Sequence, residues 1–365
     1  MIVVIINNVI ILAGIGGFLA LLLVLADFFL ANYGDCQIDI NDKRQFTVKG
    51  GNSLLNSLAE NDVFIPSACG GRGTCGLSKV TVKEGGGPLL PTEKPYLDAE
   101  EIEKGVRLSC QVKVKKDIFI TIPEALFSIR KFKGIVDNII DYTYDTKGII
   151  ITLQDPAKID FQAGQYIQLQ SRKYPRSKQI VSRAYSMANS PDRNNIIELI
   201  IRKVPDGIMT TFTHEYMKEG DQILLTGPYG EFFIRDTEAD MIFVAGGSGM
   251  APFKGILEDL SAKDTKRHIV YFFGARTEKD LFLVNEMKEY EKKMKDFTFI
   301  PVLSQPDEDT DWDGPTGYIP PLLDKYVRDP KNTEGYLCGS PALIASTEKK
   351  MKELGIDKIY YDSFG

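Results

Sequence analysis

The sequence is poor in histidine and cysteine and has no excess of basic charge. Its 365 residues include two histidines, His214 and His268, which argues against a histidine-rich metal site and a Ser-His-Asp hydrolase. Lys and Arg number 44 against 50 Asp and Glu, a formal charge of −6, so nothing favours binding to a nucleic acid backbone. Five cysteines are too few for a disulfide scaffold, and 32 glycines with 18 prolines exclude collagen-like and low-complexity chains.

The N-terminal segment has no basic residue and almost no polar one. Residues 9–26 are 18 consecutive uncharged residues, and about 20 apolar residues span a bilayer as a helix. The alternative is a cleaved signal peptide, but the basic n-region and a clear cleavage site are absent. Lys43 and Arg44 follow the run and no Lys or Arg precedes it. By the positive-inside rule, we expect residues 1–31 to be an uncleaved single-pass membrane anchor with the rest of the chain in the cytoplasm.

Three segments with different patterns follow the expected anchor. Residues 33–126 mix short alternating runs with helical stretches, which indicates an α+β domain. Residues 130–235 contain regularly spaced short strands and turns, typical of a small antiparallel barrel. Residues 236–365 alternate apolar strands with helices, which predicts a parallel α/β nucleotide-binding domain. Within these domains the predicted helices cover 54–61 and 92–104, and the predicted strands cover 77–82, 118–122, 148–153, 166–169, 196–202, 222–226, 241–245, 268–273, 297–303 and 336–337.

A glycine-rich loop over residues 67–78 contains Cys69 and Cys75, and Cys110 follows in a second group. The glycines let the backbone wrap closely around a bound group and point its amides inward. The loop resembles the C-x5-C-x2-C variant of the [2Fe–2S] loop found in reductase-linked ferredoxin domains. That resemblance implies a β-grasp ferredoxin-like domain over residues 33–126. It also implies a metal site at Cys69, Cys75, Ser78 and Cys110.

Ser78 stands where the family pattern has its third cysteine. A serine alkoxide is harder than a thiolate and is costly to form at neutral pH. Three alternatives stay open: Ser78 ligates through oxygen, an introduced or variant serine empties the site, or the domain has naturally lost its cluster. A fourth, that the cysteines are merely buried residues, leaves the glycine pattern without a purpose.

A second motif surrounds Arg183, Tyr185 and Ser186. Arginine can grip a pyrophosphate, tyrosine can stack on an isoalloxazine ring, and serine can hydrogen-bond near flavin N5. The four-residue motif alone is also compatible with a solvated barrel strand. Together with the glycine-containing turns around it, it resembles the ferredoxin–NADP reductase superfamily, which implies FAD. The expected flavin-binding residues are Arg183, Ala184, Tyr185, Ser186, Arg202, Gly207, Met209 and Thr210.

A glycine-rich turn between a predicted strand and a predicted helix indicates nicotinamide nucleotide binding, because close backbone approach and a helix N-terminus favour phosphate. Glu278 and the absence of a dense basic cluster favour NADH over NADPH. The same family resemblance puts Cys338 near the nicotinamide and makes Phe364, at the C-terminus, an aromatic gate over the flavin. Tyr185, Ser186, Cys338 and Phe364 are thus the expected catalytic residues. The expected nucleotide-binding residues are Gly246, Gly247, Ser248, Gly249, Met250, Ala251, Pro252, Gly274, Ala275, Arg276, Cys338 and Gly339.

The order of anchor, ferredoxin, flavin barrel and nucleotide domain resembles one family, the F subunits of Na⁺-translocating NADH:quinone oxidoreductases. The resemblance implies hydride transfer from NADH to FAD, then single electrons through a [2Fe–2S] cluster to membrane-embedded partner subunits and finally quinone, coupled to Na⁺ transport. The chain lacks a long insertion expected between Tyr166 and Arg183. This departure leaves open a shorter relative of the family or a tethered NADH-dependent reductase for an oxygenase or other acceptor. Ser78 leaves open a cluster-less docking subunit.

Overall fold

The computed structural model describes residues 2–30, 33–307 and 311–363. The chain divides into two compact units, residues 1–128 and 129–365. Each unit has its own hydrophobic core.

The first unit begins with helix α1, Ile2–Leu30. The large apolar side chains that are described in this helix are exposed; Ile10, for example, is 63% exposed and Phe18 is 62% exposed. In the part of the chain that the structure describes, no helix is long and apolar enough to cross a bilayer. The membrane anchor therefore stays a prediction from the sequence.

A five-stranded mixed sheet forms the rest of the first unit. Strands β1 and β5 pair in parallel and the other neighbours are antiparallel, in the order β2-β1-β5-β3-β4. Ile38, Ile40, Leu54 and Leu58 fill the space between the sheet and helix α2, so the predicted ferredoxin-like α+β fold is confirmed. The elements are β1 Asp35–Ile40, β2 Arg44–Lys49, α2 Leu54–Ala59, β3 Lys79–Glu84, α3 Ala99–Glu103, β4 Val106–Leu108 and β5 Ile118–Thr121.

The helix predicted over residues 92–104 is wrong in its length. A short 3-10 turn covers Lys94–Tyr96, and α3 starts only at Ala99. Leu97 and Asp98 have extended backbones, with ψ of 130° and 175°, so the helical run is broken between the 3-10 turn and α3. Asp98 then starts α3 as an N-cap, accepting a hydrogen bond from the Glu101 amide at 2.8 Å.

A buried ion pair anchors the segment before Cys110. Arg107 donates to Glu93 through Nη2 at 2.6 Å and Nε at 2.9 Å, and their side chains are 8% and 0% exposed. Arg107 also donates to the carbonyls of Gly86, Gly87 and Pro88. Burial by itself raises the pKa of Glu93, but the hydrogen bonds from Arg107 and from two backbone amides outweigh it, so the pKa lies below its ordinary value.

A six-stranded antiparallel sheet opens the second unit, in the order β10-β7-β6-β11-β8-β9. A bridge between Met187, just after β9, and Leu199 in β10 joins the two edges. The sheet thereby curls into the predicted barrel, with Ile149, Ile167 and Leu225 among its interior side chains. Its strands are β6 Arg130–Asp141, β7 Thr146–Asp155, β8 Tyr166–Gln170, β9 Ser182–Ser186, β10 Ile196–Arg202 and β11 Gln222–Tyr229, with helix α4 at Ile208–Thr211.

A five-stranded, all-parallel sheet completes the second unit, in the order β14-β13-β12-β15-β16. Both faces of β12 are covered: Phe243 belongs to one core cluster, and Ile242 and Val244 belong to the other. The predicted parallel α/β sheet is confirmed, and the structure shows that it is covered on both faces. The elements are β12 Asp240–Gly246, α5 Met250–Ala262, β13 Ile269–Ala275, α6 Val284–Lys293, β14 Phe297–Leu303, β15 Thr333–Gly339, α7 Pro341–Leu354 and β16 Lys358–Ser363.

The substitution Glu93→Gln tests the buried pair in the first unit. It leaves the Arg107 charge buried and unpaired, so we expect a loss of about 3 kcal/mol of local unfolding free energy at pH 7. Because the folded pKa of Glu93 is depressed, the stabilisation is present above the unfolded pKa and is lost as pH falls through the folded pKa. Hydrogen–deuterium exchange of peptides from residues 33–128, across a urea series at several pH values, measures it.

The control for that experiment is Lys104→Ala, which removes the exposed ion pair to Glu100. We expect no measurable change there, because exposed pairs on a helix contribute little. Equal effects of the two substitutions contradict the role given to Glu93.

Candidate functional site

The cysteine loop contains positions where any residue other than glycine would force the backbone or a neighbouring side chain to move. Gly73 and Gly76 have φ of +77° and +67°. A Cβ on Gly73 lies 2.4 Å from Gln111 Nε2, and one on Gly76 lies 2.8 Å from Tyr96 Cδ1. The Ser67 hydroxyl accepts a hydrogen bond from the Gly71 amide at 2.8 Å. The loop is therefore closely packed against Gln111 and Tyr96.

The four expected metal-ligating residues lie in two pairs. The Cys75 thiol donates to Cys69 Sγ at 3.3 Å, and the Ser78 hydroxyl donates to Cys110 Sγ at 3.1 Å. Pairing of β3 with β4, with Lys79 opposite Leu108, brings the second pair together. Among the described residues, no three His, Cys, Asp or Glu side chains form a group that can hold a metal ion. The four residues present two separate pairs of donors.

These donors fit an iron–sulfur centre. Two donors on one tetrahedral metal, with bonds of about 2.0–2.3 Å, lie roughly 3.3–3.8 Å apart, close to the separations in both pairs. The hydrogen bond from Cys75, together with the amides of Thr74 and Arg72, holds the pKa of Cys69 below its ordinary value. The same hydrogen bond, together with burial, raises the pKa of Cys75. Of the two thiols, Cys69 is therefore the one whose thiolate, the form that binds metal, is favoured.

The flavin motif lies on β9, which pairs with β8 so that Tyr185 is opposite Ile167 and Ser186 opposite Tyr166. Burial raises the pKa of Tyr185, so its hydroxyl stays protonated. Ser186 is 3% exposed, and its hydroxyl donates to Asp362 Oδ2 at 3.4 Å. The edge of the barrel thus meets the last strand of the nucleotide sheet at Ser186.

The other expected flavin residues divide between an open edge and the barrel core. Arg202 donates to Asp145 Oδ2 at 2.7 Å, and its guanidinium lies beside Gly247 of the glycine turn, 3.7 Å from an ideal Cβ there. Met209 is 2% exposed and belongs to the barrel core. The Thr210 hydroxyl accepts from the Val204 amide at 3.1 Å and so closes the turn that contains Gly207.

The rest of the flavin motif is held by the backbone. Arg183 Nη1 donates to the Ser182 carbonyl at 2.7 Å. Ala184 lies opposite Gln168 in the β8–β9 pairing.

The glycine turn sits where the parallel strands end. A Cβ on Gly249 lies 2.3 Å from the Cys338 carbonyl oxygen, so the glycine turn approaches β15 too closely there for any other residue. Gly246 pairs with Gly274, and Gly339 contacts Gly246. The carboxyl ends of parallel strands are where α/β sheets bind nucleotides. The expected residues at the start of α5, namely Met250, Ala251 and Pro252, are buried against the core, whereas Gly247 and Ser248 are partly exposed.

Arg276 lies at the outer side of this edge, just after Ala275. Its side chain is 60% exposed and its Nη2 is 3.9 Å from Asp280 Oδ1. Tyr144, from the barrel, links the two: it accepts from Arg276 at 3.1 Å and donates to Asp280 at 2.9 Å. Sequence reasoning missed Asp280 and Tyr144, because their proximity depends on the barrel lying against the nucleotide sheet.

Cys338 and Asp362 lie opposite each other on β15 and β16. Cys338 is fully buried, and burial, with the nearby Asp362 charge, raises the pKa of its thiol. Burial also raises the pKa of Asp362 to about 6, although the Ser186 hydrogen bond acts in the opposite direction. Sequence reasoning missed Asp362 because it predicts no strand over residues 358–363. Phe364 lies outside the described residues.

A buried ion pair joins the barrel to the nucleotide sheet close to this site. Lys254 of α5 and Glu198 of β10 are 3.0 Å apart and 8% and 7% exposed. Lys254 also donates to the carbonyl of Ala188, two residues beyond Ser186, at 3.3 Å. Neither residue of the pair belongs to a sequence motif.

Three protein-family models match the chain. The 2Fe-2S iron-sulfur cluster binding domain matches residues 38–115. The oxidoreductase FAD-binding domain matches residues 133–234, and the oxidoreductase NAD-binding domain matches residues 243–349. The chain therefore has the domains that bind [2Fe–2S], FAD and NADH, in the predicted order.

Similar proteins cover almost the whole chain. The F subunit of the Na⁺-translocating NADH-quinone reductase of Serratia proteamaculans is 35% identical over 406 residues, covering 99% of both chains. Among solved structures, a cytochrome P450 reductase from Amycolatopsis is 27% identical with a TM-score of 0.73, covering 90% of this chain and 98% of its own. The ferredoxin reductase in carbazole 1,9a-dioxygenase is 26% identical with a TM-score of 0.70, covering 91% and 99%.

Together these matches establish an NADH oxidoreductase with flavin and iron–sulfur domains. On the strength of the full-length identity, the chain belongs to the family formed by the F subunits of Na⁺-translocating NADH-quinone reductases.

Proposed function

We propose that this chain is the electron-input subunit of a Na⁺-translocating NADH:quinone reductase. The observation that carries the proposal is the meeting of Ser186 on the flavin strand with Asp362 and Cys338 at the edge of the nucleotide sheet. Full-length similarity to the F subunits supports the quinone, the sodium coupling and the membrane partner subunits. A bound FAD supplies a hydride acceptor that also gives up single electrons, and a [2Fe–2S] cluster supplies the one-electron carrier.

The residues of the second unit have the following proposed roles. Arg183, Arg202 and the residues of the α4 turn would hold the flavin phosphates, and Tyr185 would stack on the flavin ring. The Ser186 hydroxyl, which donates to Asp362 in the structure, would lie beside the reacting edge of the ring. The glycine turn at residues 246–249 binds the NADH phosphates through backbone amides.

The nucleotide choice also follows from charge. Asp280 places a carboxylate beside Arg276, which favours the free ribose hydroxyl of NADH over a 2′-phosphate. Asp362 and Cys338 border the nicotinamide, and the Asp362 carboxylate stabilises the positive charge that NADH acquires as hydride leaves.

Attachment to a membrane is part of the proposal. The uncharged run at residues 9–26 of the sequence supports an anchor. Lys43 and Arg44 support a cytoplasmic position for the domains that follow. An anchor holds the chain near membrane partners and raises their effective concentration.

A second candidate function is a reductase for an oxygenase. Near full-length structural similarity to the reductases of a cytochrome P450 and of carbazole 1,9a-dioxygenase favours it. The same two sites serve both functions, and only the electron acceptor differs.

A double substitution in the apolar run tests the acceptor and the anchor together. Leu19→Asp with Leu22→Asp places two charges in that run, each costing about 3 kcal/mol in a bilayer centre. We expect the variant to leave the membrane fraction on alkaline washing and to lose Na⁺-stimulated quinone reduction. Its NADH-dependent reduction of a soluble dye stays unchanged.

The control is Leu19→Ala with Leu22→Ala, which keeps the run apolar and stays membrane-bound. The proposed function is contradicted if the native complex reduces quinone independently of sodium. It is also contradicted if the chain efficiently reduces an oxygenase instead.

Ser186→Ala tests the flavin strand. Loss of one hydrogen bond at the reacting edge slows flavin reduction by NADH about tenfold, measured as bleaching of flavin absorbance in a stopped-flow instrument. Ser346→Ala, on the exposed face of α7, is the matched control. An unchanged bleaching rate in Ser186→Ala removes that residue from the mechanism.

Asp362 gives the reaction a pH dependence. Its pKa is about 6, so raising the pH from 5 to 7 creates the carboxylate and we expect the bleaching rate to rise. Asp362→Asn makes the rate low and independent of pH in this range. Asp357→Asn, an exposed neighbour at the start of β16, keeps the wild-type profile. A wild-type profile in Asp362→Asn contradicts the assignment.

A further inference from the structure

We propose that Ser78 is the fourth ligand of the iron–sulfur centre, through Oγ, on the iron that it shares with Cys110. Cys69 and Cys75 hold the other iron. The inference deepens the proposed function, since it concerns the one-electron carrier that the function requires. It also rejects the alternative of a cluster-less docking domain.

The pairing of the donors assigns them to the two irons. Cys69 and Cys75 are 3.3 Å apart, and Ser78 and Cys110 are 3.1 Å apart. Ligands on one metal ion must lie this close. The Ser78 oxygen occupies the partner position to Cys110, just as Cys75 does to Cys69.

The Ser78 hydroxyl is held at that position by the backbone. Ser78 is 1% exposed. Its carbonyl accepts from the Ser109 amide at 2.7 Å and from the Ser109 hydroxyl at 3.0 Å. These bonds fix the residue at the start of β3, so the hydroxyl is directed toward Cys110 rather than toward solvent.

The neighbouring polar groups are engaged elsewhere. Gln111 points an amide donor, not an acceptor, at Cys110 Sγ, at 3.7 Å, and its Oε1 accepts from Thr92. Cys36 lies on β1, opposite Val48, and its thiol donates to the Tyr33 carbonyl at 3.7 Å. Ser78 is therefore the donor placed to complete the set.

Binding replaces one bond with another and transfers no electron. The Ser78 O–H bond breaks, an Fe–O bond forms, the proton passes to solvent and the oxidation state of the iron is unchanged. An alkoxide is harder than a thiolate and favours ferric over ferrous iron. The two irons are therefore inequivalent, and the reduction potential is lower than that of the same site with four cysteines.

The test uses the full chain and its variants, purified anaerobically as assembled in cells. Iron and acid-labile sulfide per chain, the EPR spectrum after reduction with dithionite, and the reduction potential are measured. The variants are Ser78→Cys, Ser78→Ala and Ser57→Ala. Ser57 is the matched control, because it is also 1% exposed but lies on α2, outside the loop.

We expect about two irons per chain in the native protein and in Ser57→Ala. Ser78→Cys keeps that content, shifts the EPR spectrum and has a more positive potential. Ser78→Ala loses at least half of its iron and of its EPR signal.

Two results overturn the assignment. In one, Ser78→Ala matches the native protein in iron content and EPR spectrum. In the other, the native chain lacks iron while Ser78→Cys holds it. If Ser78→Ala does not accumulate, identical spectra and potentials in the native protein and Ser78→Cys also overturn it.

Flavin bleaching by NADH, recorded on the same samples, separates this inference from the proposed function. If the ligand assignment fails but NADH still bleaches the flavin, the proposed NADH–flavin step is unaffected. Absent bleaching in the native protein removes the proposed function itself.

Discussion

The ion pair between Lys254 and Glu198 fixes how the two halves of the second unit meet, and the geometry of the nucleotide site depends on it. Both side chains are more than nine-tenths buried. Arg193 extends the pair into a network by contacting Glu198 at 3.2 Å and Glu258 at 2.6 Å. Charges removed from water tolerate little displacement, because either partner left alone is strongly destabilising. The network therefore holds α5, and with it the glycine turn, against the barrel.

Because of that contact, the barrel and the parallel sheet both contribute residues to one site. The barrel contributes Ser186, and the parallel sheet contributes Cys338 and Asp362. Hydride transfer requires donor and acceptor to be held within a narrow range of distances. The buried ion pair between Lys254 and Glu198 lies near the site and supplies this positioning, although neither residue takes part in the chemistry.

The first unit solves a different problem, which is to hold an irregular loop in one shape. Strand pairing of β3 with β4 sets Ser78 beside Cys110. The Arg107–Glu93 pair then ties β4 to the Gly86–Pro88 turn through backbone carbonyls. The loop itself has no regular secondary structure between α2 and β3, so its geometry depends on these flanking contacts and on glycines with positive φ.

The sequence by itself determined the cofactor classes, the order of the three cofactor domains and several elements, including β10 at Ile196–Arg202 and β14 at Phe297–Leu303. Those features are local: apolar periodicity defines a strand, and glycines beside a strand end define a phosphate turn. Tertiary structure alone decided that Asp362 meets Ser186 and that Lys254 meets Glu198. It also decided that Met209 faces the barrel core. These contacts join residues 56 to 176 positions apart, and no periodicity in the chain records which strands become neighbours.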